Sequence, residues 1–140
     1  MTLYQVISQL KAIALSQPNI RTAGEGNIYD YLNANPAIEY DVFFITQQTH
    51  TQDEQFDHYA LTLFYVSRLE NDLEENRLQI QSIGKEVLSN VIHTFENETY
   101  AEAPVISYTM FTQKFADECA GCYAQLTLDI PVDYLCEELY

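Results

Sequence analysis

The sequence predicts an α+β fold, with a four-stranded, mostly antiparallel sheet packed on two helices in the order α-β-β-α-β-β. Three observations carry that expectation. Apolar residues recur every three or four positions near the N-terminus and again in the middle of the chain, the period of an amphipathic helix. Two pairs of segments are rich in β-branched and aromatic residues, and the clearest of them alternates between apolar and polar. The chain has 140 residues, one domain by size, and 47 % of it is apolar, too much for disorder.

Thr2 and Gln5 form a capping-box pattern, and Leu3, Val6, Ile7, Leu10, Ile13 and Ala14 follow at helical spacing. The first helix therefore covers residues 1–17, and Pro18 stops it. Residues 19–37, with Gly24, Gly26 and Pro36, read as an irregular connection in which Ile28, Tyr29, Tyr31 and Leu32 make a helical turn. A hairpin is expected over 40–68. Its first strand, Tyr40 to Thr46, is apolar on both faces. Its second runs from Phe56 to Arg68, with Tyr59, Leu61, Leu63 and Tyr65 on one face and Ala60, Thr62, Phe64 and Val66 on the other. The polar stretch Gln47 to Gln55 joins them as a long loop.

Asn71 or Asp72 is placed to cap the second helix, over 72–97, and acids in its first turn suit the positive end of the helix dipole. Ile80, Ile83, Val87, Val91 and Phe95 form its expected apolar stripe; Lys85, Glu86, Ser89, His93 and Glu96 lie off it. Gly84 costs about 1 kcal/mol relative to Ala inside a helix, so its place beside Ile80 and Val87 implies a close approach to the sheet. The second hairpin, over 104–132, consists of Val105 to Phe115, a turn at Asp117 to Gly121, and a strand from about Gly121 to Val132. In the last strand Cys122, Ala124, Leu126, Leu128 and Ile130 face one way and Tyr123, Gln125, Thr127 and Asp129 the other. A tail, 133–140, mixes acids with Tyr134, Leu135, Leu139 and Tyr140.

The formal charge is −15, from 21 acidic residues against six basic ones. Such a surface repels a phosphate backbone and an anionic membrane, which argues against nucleic-acid gripping and membrane docking. It serves solubility, or it suits a protein that sits near DNA without holding it, or one that docks on a basic partner. Eleven Tyr and seven Phe, with no Trp, supply the flat, half-polar side chains favoured at interfaces. Nothing before the first helix resembles a signal peptide, so the chain reads as made and used in the cytosol.

Catalytic signatures are weak. Cys119-Ala-Gly-Cys122 has redox spacing, but it opens a strand rather than a helix, beside Asp117 and Glu118, whose charge raises a thiol pKa. Cys136 could add a third zinc ligand, yet no His follows Phe95 to complete a site. His50, Asp53, Asp57 and His58 cluster within nine positions, a composition ordinary for a polar loop. His93 lies on the polar side of its helix. No nucleophile elbow, phosphate loop or dinucleotide fingerprint is present. No catalytic residue, metal or cofactor is expected.

The junction Tyr65 to Ser82, an aromatic strand followed by Arg68-Leu69, an acidic turn with Asp72, then Asn76-Arg77 and Ile80-Gln81-Ser82, resembles a family of small proteins from tailed bacteriophages and prophages of gut Bacteroidales, the crAss-like phages included. Ile28 to Asn33, Tyr40 to Thr46, and Phe111 to Asp117 with Cys119-Ala120-Gly121 look like the same family, so the resemblance spans about residues 27–123. Ser67 stands where the family pattern carries an acid, and Cys122 where it carries no cysteine.

The resemblance implies a tail-terminator-like neck or tail-completion protein, a structural virion component rather than an enzyme. It would form a cyclic ring of about six- or twelve-fold symmetry through heterologous contacts, with DNA passing through the lumen and portal, connector or tail-tube proteins as neighbours. On that basis four regions are expected to make contacts: the loop with His50, Asp53 and Asp57; the turn with Arg68, Glu70, Asp72 and Arg77; the second hairpin tip at Asp117; and the tail at Tyr134, Leu139 and Tyr140. The rivals are a cellular acidic module that binds a basic protein, and a thiol or metal site at Cys119 and Cys122.

Overall fold

The computed structural model describes residues 2–34, 39–69, 74–99, 103, 105–114 and 118–131. Helix α1 (Leu3–Ser16) opens with the expected capping box: the Thr2 hydroxyl accepts from the Gln5 amide at 3.2 Å, and the Gln5 side chain accepts from the Thr2 amide at 2.8 Å. Both exchanges satisfy donors that a helix start leaves unpaired. Val6, Leu10, Ile13 and Ala14 are buried, and Leu3 and Ile7 pack at the margin of the same core.

The connection after Pro18 is more ordered than its sequence suggests. It contains a short strand, β1 (Thr22–Glu25), and a helix of seven residues, α2 (Ile28–Ala34). Asn27 starts that helix, its side-chain oxygen accepting from the Tyr29 and Asp30 amides at 3.0 and 3.2 Å. Gly26, at φ +119°, makes the left-handed turn between the two elements, a conformation that only glycine adopts easily.

The first hairpin consists of β2 (Val42–Gln52) and β3 (Phe56–Arg68). The expected loop over 47–55 is therefore corrected: most of it is strand, and only Asp53, Glu54 and Gln55 remain as the turn. No apolar pattern marks Gln47 to Gln52, because this part of β2 is exposed and drawn into register by β3 beside it. An irregularity between Gln47 and Thr49 inserts one extra residue, Gln48, as a β-bulge.

Helix α3 (Glu74–Thr99) lies across the sheet with Ile80, Val87, Leu88, Val91, Ile92 and Phe95 buried. One residue of the expected stripe is wrong: Ile83 is 41 % exposed. The inward line passes instead through Gly84, which an apolar count overlooks because it has no side chain. A Cβ there would lie 2.7 Å from Cδ1 of Tyr65, so the glycine permits the close approach its sequence position implied.

The second hairpin pairs β4 (Val105–Lys114) with β5 (Glu118–Pro131). The turn expected at Asp117 to Gly121 is also corrected. Residues 118–121 already belong to β5, where all four pair with β4 and Cys119 to Gly121 also pair with β3 from Arg68 to Val66; Asp117 lies outside the described residues. The predicted alternation along β5 holds from Cys122 to Ile130.

Among the described residues the sheet thus has five strands rather than four, in the order β1-β2-β3-β5-β4. It is mixed, since β1 runs parallel to β2 and every other pair is antiparallel. Helices α1 and α3 cover its inner face around Phe43, Ile45, Leu61, Leu63 and Tyr65. On the outer face a smaller core joins Ile28 and Leu32 of α2 to Val42, Phe44, Val66 and Cys119. Each large side chain so buried contributes about 1.5–3 kcal/mol by leaving water. Among the described residues, no helix is long and apolar enough to cross a membrane.

Candidate functional site

The hairpin tip gathers the first group of candidate residues, though not into one cluster. Alternation along β3 sends Asp57 and His58 to opposite faces. On the inner side, Nε2 of His50 donates to Asp57 at 2.9 Å while its ring stacks on Tyr59 at 4.4 Å. On the outer side, His58 lies between two carboxylates: Nδ1 donates to Asp129 at 2.5 Å and Nε2 to Asp53 at 2.9 Å. A carboxylate facing each ring nitrogen favours the doubly protonated imidazolium.

These bonds to Asp53 and Asp129 hold the His58 pKa above its ordinary value. The reciprocal bond from His58, with the Phe56 and Gln55 amides, lowers Asp53 to about 2. In the sequence Asp129 is only an outward-facing strand residue; its partner lies 71 positions away, and no local spacing announces the pair. Among the described residues, no group of three or more His, Cys, Asp or Glu is arranged to hold a metal ion.

At the strand-to-helix junction the two arginines are used within the fold. The Arg68 guanidinium lies 5.8 Å from the Tyr40 ring centre. Arg77 donates to the Gln81 side-chain oxygen at 3.1 Å, and Gln81, itself buried, donates to the Phe111 carbonyl at 3.0 Å. This chain ties α3 to β4. Asp41 accepts from the hydroxyls of both Ser67 and Tyr65, so an acid does serve this corner, from 26 residues upstream of Ser67. Burial, then the bond to Asp41, raises the Tyr65 pKa. Glu70, Asp72, Asp117, Tyr134, Leu139, Tyr140 and Cys136 lie outside the described residues.

Cys119 and Cys122 are both buried thiols, three positions apart on one strand, which places them on opposite faces. Cys119 packs with the outer core and Cys122 with the inner. Pairing them would require one side chain to pass through the sheet. Burial also pushes the Cys122 thiol up to about 11, so it stays protonated at neutral pH.

The sequence did not single out the part of the outer face that no described residue covers. Beside α2, Phe64, Phe111 and Tyr123 form a ring cluster with centres 5.4–6.3 Å apart. They floor an open groove of about 380 Å³, completed by Thr62, Gln48 and Gln125 and walled by Ile28 and Tyr29. The signal was available as outward-facing aromatics on three strands, but their adjacency needed the strand order. No protein-family profile and no curated protein sequence matches the chain.

Proposed function

We propose that this chain is a structural protein of a tailed-phage virion, forming a ring in the neck or head-proximal tail that joins head to tail around the DNA channel. The observation that carries the reading is the two-ended sheet. Among the described residues, β1 and β4 are each paired on one side only, and the two edges differ in length and direction. Unlike surfaces of one subunit support head-to-tail contacts, which close into rings when the rotation allows. The charge of −15 suits a wall along which DNA slides without being gripped. The resemblance over residues 27–123 supplies the class of assembly.

The decisive experiment inactivates the gene in the phage or prophage that carries it. Unjoined heads and tails by electron microscopy, with the protein found by mass spectrometry in intact particles, support the reading. Normal particles without the protein overturn it. The acidity also favours a second reading, a cellular module that recognises a basic protein. A gene neighbourhood without portal, capsid or tail genes, and a monomer that binds a basic partner less tightly as salt rises, would favour that alternative.

A further inference from the structure

We infer that the tip of the first hairpin is fastened to the end of β5 by a proton-dependent clasp centred on His58. While the ring carries two protons it ties the turn to β5; when it loses one, the turn is released. The inference does not depend on the ring reading.

Three elements meet at this ring. His58 stands on the outer face of β3, in register with Asp129 of β5 on one side and Thr51 of β2 on the other. Its Nδ1 donates to Asp129 at 2.5 Å, and its Nε2 donates to Oδ2 of Asp53, in the turn, at 2.9 Å. The turn is also closed on itself. The Asp53 amide donates to the Phe56 carbonyl at 3.0 Å, and Oδ1 of Asp53 accepts from the Gln55 and Phe56 amides at 2.8 and 2.7 Å. Asp53 thus shapes the turn with one oxygen and anchors it with the other.

A neutral imidazole has one N–H and one lone pair. It can hold one of these carboxylates, and then turns a lone pair toward the other at hydrogen-bond distance, which repels. Asp129 is the partner kept. It lies directly across the ladder, its bond is the shorter, and its side chain is 25 % exposed against 57 % for Asp53. That bond fixes the remaining proton on Nδ1, and Oδ2 of Asp53 is let go. The turn keeps its own three hydrogen bonds and swings as a unit, a local opening that leaves the sheet intact.

The charges around the ring all favour the closed state. The turn brings Asp53, with Glu54 beside it, and β5 brings Asp129; Thr51 of β2 is uncharged. On β3 the Phe56 ring lies 6.3 Å from His58, while Asp57 turns inward to His50. Helices α1 and α3 cover the inner face, and α2 packs at Val42 and Phe44, further along the sheet. Residues 47–61 and 124–131 contain no Lys or Arg to compete for the carboxylates. The clasp is therefore closed from about pH 2, where Asp53 ionises, up to the raised pKa of His58, and open above it.

Heteronuclear NMR on the full chain, with isotope-labelled histidine rings and backbone amides, tests the clasp from about pH 5 to about pH 10. Below its midpoint His58 should show two protonated ring nitrogens. Above it the ring should carry its proton on Nδ1, the reverse of the tautomer that free histidine prefers. Across the same midpoint the order parameters of Asp53, Glu54 and Gln55 should fall from about 0.85 to below about 0.6, while those of Leu61 to Leu63 hold. Asp53→Asn keeps an oxygen for the Gln55 and Phe56 amides but sets an amide donor, without charge, against Nε2. It should lower the His58 midpoint and abolish or reverse the response of the turn. A turn whose order does not change across the midpoint, a neutral ring protonated at Nε2, or a wild-type response in Asp53→Asn overturns the clasp. So does a ring still doubly protonated at about pH 10, because such a clasp never opens.

Discussion

Replacing Gly84 by alanine opposes two known effects. In an exposed helix the change is favourable by about 1 kcal/mol, because glycine loses more backbone freedom on folding. Here the new methyl would lie 2.7 Å from Cδ1 and 3.2 Å from Cγ of Tyr65, and 3.2 Å from Cβ of Cys122. Carbon atoms rest at about 3.5–4.0 Å, so ring or helix must yield by roughly 1 Å. Tyr65 is 1 % exposed and its hydroxyl is tied to Asp41, which leaves the ring little room. Overpacking of this kind costs about 1–3 kcal/mol.

The packing term wins. Gly84→Ala should lose about 1 kcal/mol net, a fall in melting temperature of about 3–5 °C for a chain of this size. Urea denaturation and calorimetry measure it, with Gln79→Ala on the exposed side of α3 as a control within about 0.5 kcal/mol. In a Tyr65→Leu background the 2.7 Å contact is relieved and only the 3.2 Å approach to Cβ of Cys122 remains, so the cost of Gly84→Ala should shrink. A wild-type background in which Gly84→Ala raises stability by the full propensity gain would refute the close approach of α3 to β3.

Three other outcomes are expected. Asp41→Ala should cost about 2–3 kcal/mol in urea titrations, because it strips the acceptor from the buried Tyr65 hydroxyl and from Ser67. The His58 imidazole should titrate above about 6.5 by NMR. Its folded pKa is raised, so its stabilising contribution is full below the unfolded value and is lost as pH rises through the folded one. Asp53, lowered to about 2, contributes above its unfolded 3.8 and loses that contribution as pH falls toward 2. His58→Gln should therefore flatten the alkaline side of the stability profile. Cys122, with its thiol at about 11, should resist iodoacetamide at pH 8 until urea is added, read by peptide mass spectrometry.

The legible parts of the fold were those in which side-chain period and local chemistry agree. The Thr2–Gln5 box, the end of α1 before Pro18, the alternation from Cys122 to Ile130 and the use of Gly84 could all be read from short windows. What escaped depends on partners distant in sequence. Strand β1 has four residues, a glycine inside it and another just after it, and no alternation; it exists because Thr22 to Glu25 align beside Val42 to Ile45. The polar half of β2 is a strand by pairing rather than by composition. At the candidate sites, His50 and Asp57 could be grouped from their spacing, but the Asp53–His58–Asp129 bridge and the Phe64–Phe111–Tyr123 floor each join separate strands or turns.

The bulge at Gln48 decides the chemistry of the hairpin tip. If the ladder ran unbroken from the Gln47–Leu61 pair, His50 would stand opposite His58, on the side where Asp53 and Asp129 already converge. Two imidazoles and two carboxylates would then share one face, a ligand set suited to a divalent transition metal. The extra residue turns His50 to the other side, against Tyr59 and Asp57. The separation of these four side chains is thus a property of strand register, and a slip of one residue would give the same amino acids a different inorganic chemistry.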